Sequence, residues 1–342
     1  MKRILLIYTG GTIGMVENPV TGALESFDFG NLLHHVPELR QFALHIDTYT
    51  FTPPIDSSDM SPAGWSKLVT IIAERYDAYD GFVVLHGTDT MAFTASALSF
   101  MLEGLSKPVV LTGSQLPIGK LRTDGKENLL TAIEIASACH ADGTPKVPEV
   151  CVYFHEKLLR GNRITKASAD EFDAFESFNY PHLASAGVDI EYHPEYTLPY
   201  RPQTPLTPHL TLDANLIIFS LFPGIQPSLV QKALETPELK GIVLRTFGAG
   251  NAPQQPWLVE MLAEATRKGK VIVNITQCTG GSVAMKRYET GLQLMEAGVV
   301  SGYDSTVEAA LTKLMFLFGQ GLAPDAVRAA MQRPLAGEIT VE

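Results

Sequence analysis

The chain is 342 residues long, with 45% hydrophobic and 18% charged residues. That length predicts two domains, and the apolar content excludes an intrinsically disordered protein. The formal net charge of −11 repels phosphate backbones and anionic headgroups, which argues against nucleic acid and membrane partners.

The apolar runs and the cysteines exclude further classes of protein. No apolar run approaches the ~20 residues of a membrane-spanning helix, and the first one, residues 4–8, is shorter than the core of a signal peptide. Cys139, Cys151 and Cys278 are odd in number and lack metal-type spacing, so they predict neither a disulfide framework nor a zinc site. We therefore expect a cytoplasmic protein whose first strand is retained, without a metal.

Seven short runs rich in Val, Ile, Leu, Phe and Tyr are predicted to be strands, with helical patterns between several of them. Their interiors lack polar alternation, which is typical of strands covered on both faces. The predicted strands are residues 3–8, 81–85, 108–111, 150–154, 216–221, 241–244 and 271–275. This order predicts an α/β fold with a mostly parallel, Rossmann-like sheet and helices on both of its faces.

Four helices are predicted from apolar stripes at helical spacing, which are typical of core packing. The first begins at Ser61 and Pro62, an N-cap residue followed by proline at the first helical position. The stripes are Trp65, Leu68, Val69, Ile72 and Tyr76; Leu129, Leu130, Ile133 and Ala136; Leu258, Met261, Leu262 and Ala265; and Leu311, Leu314, Met315 and Phe318.

A proline-rich stretch suggests where the two domains divide. Residues 192–210 contain five prolines and little periodicity, which indicates an extended connector. We therefore expect a larger N-terminal catalytic α/β domain at residues 1–191, a linker at 192–211 and a smaller C-terminal α/β domain at 212–342.

The turns that follow the first four predicted strands are rich in small hydroxylated residues. Ligands bind at the carboxyl ends of strands in open α/β sheets, so these turns are the expected site. Their sequences are TGGTIGM at 9–15, HGTDT at 86–90, TGSQ at 112–115, and HEK at 155–157 followed by RGNRITK at 160–166. The first turn lacks the spacing of a dinucleotide-binding loop and the lysine of a nucleotide-binding loop.

Two threonines, a lysine and an aspartate in these turns are the candidate chemical groups. A threonine hydroxyl needs an adjacent base to act as a nucleophile, and Lys166 is the candidate base for Thr12 or Thr88. Asp89 follows a buried strand, where its carboxylate would be desolvated unless a lysine or a bound ammonium paired with it. The ordinary alternatives are that Thr12 caps a tight turn, that Asp89 caps the next helix and that Lys166 is a surface lysine.

The loop DSSDM at residues 56–60 has two readings. It is either ordinary capping of the following helix or a cradle of hydroxyl and backbone groups for a carboxylate. The sequence contains neither a G-x-S-x-G elbow nor an H-E-x-x-H pair, so it indicates neither an α/β-hydrolase nor a metal hydrolase.

Together, TGGTIGM, DSSDM and HGTDTM resemble the motifs of bacterial type I (cytoplasmic) L-asparaginases, in the asparaginase/glutaminase family. The resemblance covers nearly the whole chain, and TGGTI followed by HGTDT is specific to the family. Further matches are TGSQ at 112–115, RGNRITK at 160–166, GAGNAPQ at 248–254 and TQC at 276–278.

The resemblance implies hydrolysis of the asparagine side-chain amide to aspartate and ammonia, through an acyl-enzyme and without a cofactor. Thr12 would be the nucleophile, and Thr88, Asp89 and Lys166 would form a second catalytic cluster in which the lysine activates the threonine. The N–H groups of Gly11 and Thr88 would polarise the amide oxygen, at ~3 kcal/mol each in the transition state.

Substrate-binding and partner roles are also implied by the resemblance. Asp89 would hold the α-ammonium of the substrate, and Ser57 with the main chain around Asp56 would bind its α-carboxylate. Asn251 matches a position that reaches a neighbouring subunit's site, which implies an intimate homodimer, often paired into a homotetramer.

Two further features concern closure and regulation. Many relatives carry a tyrosine on the flap that follows TGGTIGM, whereas the flap here has none. Leu24 would therefore close the site only by its shape and by excluding water, and residues 17–29 are the candidate lid.

The regulatory feature is a second asparagine site, whose positions are matched by Thr165, Arg245 and Cys278. Arg245 could equally be an ion-pair partner, and Cys278 a small buried thiol.

Three other functions share these motifs. A glutaminase-asparaginase of broad specificity would have to accept one more methylene, which misplaces the amide. The ammonia-releasing subunit of a tRNA-dependent amidotransferase carries an extra domain before the first motif and must act with tRNA, which the net charge of −11 disfavours. A catalytically dead binding module is disfavoured because every matched hydroxyl and the lysine are present.

Overall fold

A computed structural model of the chain describes residues 1–17, 24–26 and 36–341. The chain divides into two compact units, Met1–Leu210 and Thr211–Glu342. Both units combine helices with a parallel sheet, so the predicted α/β class with a larger N-terminal and a smaller C-terminal domain is confirmed. The linker expected at residues 192–211 stays a prediction.

The first unit is built mainly of short strands. These are β1 Lys2–Tyr8, β2 Met15–Glu17, β3 Leu24–Ser26, β4 Leu44–Thr50, β5 Gly81–Leu85, β6 Leu102–Glu103, β7 Val109–Thr112, β8 Val150–Phe154, β9 Lys157–Arg160, β10 Thr165–Lys166, β11 Phe175–Glu176, β12 Ala184–Ala186, β13 Ile190–Tyr192 and β14 Thr207–Pro208. Its α-helices in the described ranges are α1 Pro62–Glu74, α2 Met91–Met101 and α3 Gly125–Ser137.

Eight of these strands form one sheet in the order β13-β12-β9-β8-β7-β5-β1-β4. The strands from β4 to β8 in this order run parallel, and β9, β12 and β13 continue the sheet antiparallel. Ile4 and Leu6 of β1 pack with Leu129 of α3 in one core cluster. Leu5 and Ile7 point to the opposite face and are equally buried, so the central sheet is covered on both sides.

The second unit has a smaller sheet in which β15 Leu216–Ser220, β16 Gly241–Thr246, β17 Val271–Thr276 and β18 Val300–Ser301 run parallel in that order. Its helices are α4 Pro227–Leu234, α5 Pro256–Arg267, α6 Glu289–Glu296, α7 Val307–Gly319 and α8 Pro324–Met331. The edge strand β15 is only partly buried, with Ile218 41% exposed. The prediction that this strand is covered on both faces is therefore wrong for the chain by itself.

All seven predicted strands are present, with ends within two residues of the prediction. The strand β4 was not predicted, because its sequence LHIDTYT alternates polar and apolar residues at the edge of the sheet and stays partly exposed. Helix α1 begins at Pro62 as predicted, with Ser61 in the extended conformation of an N-cap. Tyr76, the last residue of its predicted stripe, lies beyond the helix in a 3-10 turn.

The end of the second unit is fixed by a buried ion pair. Lys313 on α7 and Glu338 are 1% and 0% exposed, and their charged groups lie 2.5 Å apart. Lys313 Nζ also donates to the carbonyl of Arg333 at 2.6 Å. The Glu338 carboxylate accepts from the backbone N–H groups of Leu335 and Ala336 at 3.0 and 2.8 Å. Both charges thus have the additional hydrogen bonds that a buried pair requires.

We expect Lys313→Met to lower the free energy of unfolding by ~3–5 kcal/mol, because Glu338 then remains buried without a cation. Urea unfolding followed by circular dichroism measures the change. The double variant Lys313→Met/Glu338→Gln is the control and should regain part of the loss. A single variant as stable as wild type would show that the pair does not hold this segment.

Candidate active site

Three one-turn 3-10 helices follow neighbouring parallel strands of the large sheet. Thr12–Gly14 follows β1, Ser57–Asp59 lies in the segment after β4, and Thr88–Thr90 follows β5. Because β4, β1 and β5 are adjacent and parallel, these turns lie at one edge of the sheet. This is the edge at which ligands bind in open α/β sheets.

The three turns touch through glycines. Gly11 has a φ of +93°, and a Cβ on it would lie 2.5 Å from the Cα of Gly87. A Cβ on Gly87 would lie 2.5 Å from Ser57 Oγ. Neither position accepts a side chain without displacing its neighbour, so glycine allows the backbones of the turns to meet. Thr12, Ser57 and Thr88 are each at this junction or one residue away from it.

Thr12 is half-buried, and hydrogen bonds to the carbonyl of the preceding residue, Gly11, hold the backbone of its turn. The N–H of Gly14 donates to the carbonyl of Gly11 at 3.2 Å, and the buried Tyr8 hydroxyl donates to the same carbonyl at 3.3 Å. Thr12 does not cap the turn, since Gly11 is the N-cap and no side-chain capping bond is formed. Among the residues that the structure describes, no side chain is hydrogen-bonded to the Thr12 hydroxyl. Tyr8 escaped the sequence analysis because it looks like one more apolar strand residue.

Lys166 brings the other candidate groups together. Its Nζ lies 2.8 Å from Thr88 Oγ1 and 2.7 Å from Asp89 Oδ1. The Lys166 side chain is 19% exposed and the Asp89 side chain 63%. Lys166 is thus the cation that we expected beside Asp89, and the Asp89 carboxylate is mostly exposed rather than buried. Asp89 is not a helix cap either, because the N-cap of α2 is Thr90.

Gln115 is a fourth member of this cluster that sequence reasoning did not assign. Its Oε1 lies 3.3 Å from Thr88 Oγ1, and its Nε2 donates to the carbonyls of Ala169 and Glu171 at 3.2 and 3.0 Å. An amide oxygen only accepts, so the Thr88 hydroxyl donates to Gln115 while it accepts from Lys166. The motif TGSQ drew attention to this turn, but only the fold places Gln115 beside Thr88.

The loop at Ser57 shows the capping that was one of its two predicted readings, while the carboxylate cradle stays a prediction. The Asp56 carboxylate accepts from the N–H and the hydroxyl of Ser58, both at 2.9 Å, so it caps its own turn. These hydrogen bonds lower the pKa of Asp56, and the one from the Ser58 N–H has the larger effect. Ser57 is 4% exposed, and its carbonyl accepts from Thr90 Oγ1 at 2.6 Å. The Asp56 side chain is therefore used for capping.

Behind the third turn runs a buried chain of hydrogen bonds from Trp65 to Gly87. His86 is 1% exposed; its Nδ1 lies 2.7 Å from the Gly87 carbonyl oxygen and its Nε2 2.9 Å from Thr94 Oγ1. The indole Nε1 of Trp65 donates to the same Thr94 oxygen at 2.9 Å. Burial lowers the pKa of His86 to about 4, so the imidazole is neutral at pH 7.

The remaining predicted residues are distributed over both units. Thr165 precedes Lys166 in β10 of the first unit. Asn251 lies in the second unit, where its Oδ1 accepts from Thr290 Oγ1 at 3.0 Å. Arg245 donates to the carbonyl of Gln277 at 3.5 Å and makes no ion pair within the described part of the chain. Cys278 is exposed, so the alternative that it is a small buried thiol is wrong.

The predicted lid at residues 17–29 lies largely outside the described residues. In the backbone that is described, β2 and β3 pair antiparallel, with Met15 opposite Ser26. The Leu24 side chain belongs to what is not described.

Within the described residues, no group of three or more His, Cys, Asp or Glu side chains is arranged to hold a metal ion. No helix among them is both long and apolar enough to cross a membrane.

Two family models match the chain. Residues 3–198 match the model described as "Asparaginase, N-terminal", and residues 215–331 match "Glutaminase/Asparaginase C-terminal domain".

Individual proteins match over nearly the full chain. L-asparaginase 1 of Escherichia coli (strain K12) is 45% identical over 99% of this chain and 98% of its own length. The crystal structure of L-asparaginase I from Vibrio cholerae O1 biovar eltor is similar with a TM-score of 0.90 and 41% identity, covering 99% of both chains. A glutamyl-tRNA(Gln) amidotransferase subunit of Methanobrevibacter smithii is 31% identical over 98% of this chain and 77% of that protein.

The buried His86 makes stability depend on pH. In the unfolded chain it takes up a proton near pH 6.5, whereas in the folded chain it does so only at about pH 4. The neutral, buried imidazole makes its full contribution to the free energy of unfolding above pH 6.5. This contribution is lost as the pH falls toward 4, and the total loss is ~3 kcal/mol. Urea unfolding between pH 7 and 4 measures this loss, with His86→Gln as the matched control without an imidazole. Equal pH slopes in the two proteins would contradict a neutral, buried His86.

Proposed function

This chain belongs to the asparaginase/glutaminase family, and from that premise we propose that it hydrolyses L-asparagine to L-aspartate and ammonia. The observation that carries the proposal is the contact of Lys166 with Thr88 and Asp89 beside the glycine junction of the three turns. This contact supports a small site in which an amine, two hydroxyls and a carboxylate act together, in a chain that matches an L-asparaginase over 99% of its length.

We propose that substrate recognition uses both charged ends of the amino acid. Asp89 Oδ1 pairs with Lys166, and because the side chain is 63% exposed its carboxylate can also accept the substrate α-ammonium. Ser57 and the main chain around Asp56 would bind the α-carboxylate. The Asp56 side chain does not repel it strongly, since the Ser58 N–H and hydroxyl already hold that charge.

The proposed nucleophile is Thr12. Its oxygen bonds to the carbon of the side-chain amide as its hydroxyl proton is removed, while the N–H groups of Gly11 and Thr88 stabilise the negative charge on the amide oxygen. The C–N bond then breaks, the nitrogen takes up that proton and ammonia leaves. Water then loses a proton as its oxygen attacks the resulting ester, and this proton returns to the Thr12 oxygen as aspartate is released.

Lys166 and Thr88 are proposed to move protons in both halves of the reaction. As a neutral amine, Lys166 can accept the Thr88 proton over the 2.8 Å between Nζ and Oγ1 and later return it. The Thr88 hydroxyl must first turn away from Gln115, its present acceptor. Asp89 keeps the lysine beside Thr88 throughout.

We propose a homodimer or homotetramer in which Asn251 contributes to a neighbouring subunit's site. The large apolar side chains that the second unit exposes support a partner surface, among them Ile218, Phe222 and Leu229. A regulatory asparagine site at Thr165, Arg245 and Cys278 is part of the proposal and rests on the family resemblance alone. The cytoplasm is the proposed location, since all three cysteines are free thiols, as a reducing compartment favours.

The amidotransferase subunit is the less favoured alternative. Its representative is less similar to this chain than the L-asparaginases are, and a net charge of −11 opposes binding of tRNA. Broad glutaminase-asparaginase activity is distinguished by giving the enzyme glutamine in place of asparagine.

We expect Thr12→Ala, Thr88→Val and Lys166→Met each to lower kcat for asparagine about a thousandfold or more, because each removes a group that acts on the reacting atoms. Ammonia release coupled to NADH oxidation measures the rate with asparagine and with glutamine. Thr144→Val and Lys268→Met are matched controls on the surface and should keep full activity. Ammonia release near the wild-type rate in any of the three site variants would refute the role of that residue.

A further inference from the structure

The carbonyl of Gly87 and the N–H of Thr88 belong to one peptide unit. A trans peptide is planar, so its C=O and N–H point in opposite directions and turn together. Whatever holds the Gly87 oxygen therefore also sets the direction of the Thr88 N–H. In the proposed function this N–H is one of the two donors to the amide oxygen of the substrate.

The imidazole of His86 holds that oxygen. Its Nδ1 lies 2.7 Å from the Gly87 carbonyl oxygen. The backbone of His86 is itself fixed, because its N–H donates to the carbonyl of Thr112 at 2.9 Å across the sheet. The ring is fully buried, so no water competes for the bond.

In the series of hydrogen bonds that runs from Gly87 through His86 and Thr94 to Trp65, the groups at the two ends determine which atom donates in each bond. The Gly87 carbonyl can only accept, so the proton of the neutral ring is on Nδ1. Nε2 then accepts from the Thr94 hydroxyl at 2.9 Å, and the Thr94 oxygen accepts from the indole N–H of Trp65 at 2.9 Å. A flipped ring would present carbon atoms to both Gly87 and Thr94, so the ring has one orientation.

The turn needs this support because residue 87 must be glycine. Gly87 lies against Gly11 and Ser57 with no room for a Cβ, and glycine leaves the backbone more conformational freedom than any other residue. The turn that begins at Gly87 also has no side-chain hydrogen bond at its N-cap. The hydrogen bond from the buried His86 ring restrains the Gly87 carbonyl and so limits the freedom of this glycine.

We propose that His86, oriented by Thr94 and Trp65, is a positioning residue that aims the Thr88 N–H at the reacting amide oxygen. This inference rests on the proposed function, in which Thr88 is an oxyanion donor. His86 touches neither the substrate nor the reacting atoms. Its effect should therefore fall on kcat rather than on KM, because the groups proposed to bind the two charged ends of the substrate are not altered.

Two isosteric variants separate positioning from stability. In His86→Asn the side-chain amide nitrogen occupies the place of Nδ1 and keeps the bond to Gly87, but it cannot reach Thr94. In His86→Gln the longer side chain brings its amide to the place of Nε2 and keeps the contact with Thr94, but it leaves the Gly87 carbonyl unpaired. Each variant loses one of the two hydrogen bonds, so their melting temperatures should be similar.

We expect kcat to fall about fivefold in His86→Gln, the rate equivalent of one lost neutral hydrogen bond, and to stay within about twofold of wild type in His86→Asn. KM should be unchanged in both. Thr94→Val frees the far end of the ring and should give a smaller loss of kcat than His86→Gln. Equal kcat in the two His86 variants, or a loss confined to KM, would overturn the proposal.

Amide hydrogen exchange, measured by mass spectrometry over residues 86–91, gives a readout that needs no turnover. Exchange should be several-fold faster in His86→Gln than in His86→Asn or wild type, and equal exchange in both variants would overturn the positioning role. If the wild type releases no ammonia from asparagine, the proposed function fails. The exchange comparison then still decides whether His86 orders this peptide.

Discussion

The contact of the Gly11 backbone with the Gly87 backbone, and of Gly87 with the Ser57 side chain, is the constraint on which the rest of the site depends. The parallel pairing of β1 with β4 and β5 brings their turns to one edge, but only residues without a Cβ let the turns close on each other. Thr12, Ser57 and Thr88 lie at or next to this contact. The positions of their backbones are consequently set by the packing of the three turns.

Around this contact the groups divide into a rigid inner layer and an accessible outer one. Tyr8 and His86 are buried and hold backbone carbonyls of the two turns, and each has a defined partner. Lys166, Thr88 and Asp89 form the outer layer, where a mostly exposed carboxylate keeps a partly buried lysine in place. The mostly exposed Asp89 is the group proposed to meet the substrate, while the buried inner layer holds the backbones of the turns.

The sequence predicts the core of this fold well, because strands buried on both faces must be continuous apolar runs. Strand β4 was not predicted, because it lies at the sheet edge with one face exposed. Strand β15 was predicted, but its expected burial on both faces was wrong, because its apolar residues are left partly uncovered in the chain by itself. In the site, motifs located the turns, and the resemblance supplied the roles. The participation of Gln115 and His86 could not be predicted, since it depends on partners that only tertiary structure brings within reach. The lid, the subunit arrangement and the regulatory site remain predictions.

The distance between Thr88 and Lys166 along the chain, 78 residues, has a consequence for biosynthesis. A ribosome releases both threonine turns well before the segment that carries the lysine. The strands β7, β8 and β9 are made in between, and β9 must reverse beside β8 before Lys166 reaches Thr88. A nascent chain therefore presents both threonines before Lys166, and the cluster of Thr88, Asp89 and Lys166 forms only once the greater part of the first unit has emerged and folded.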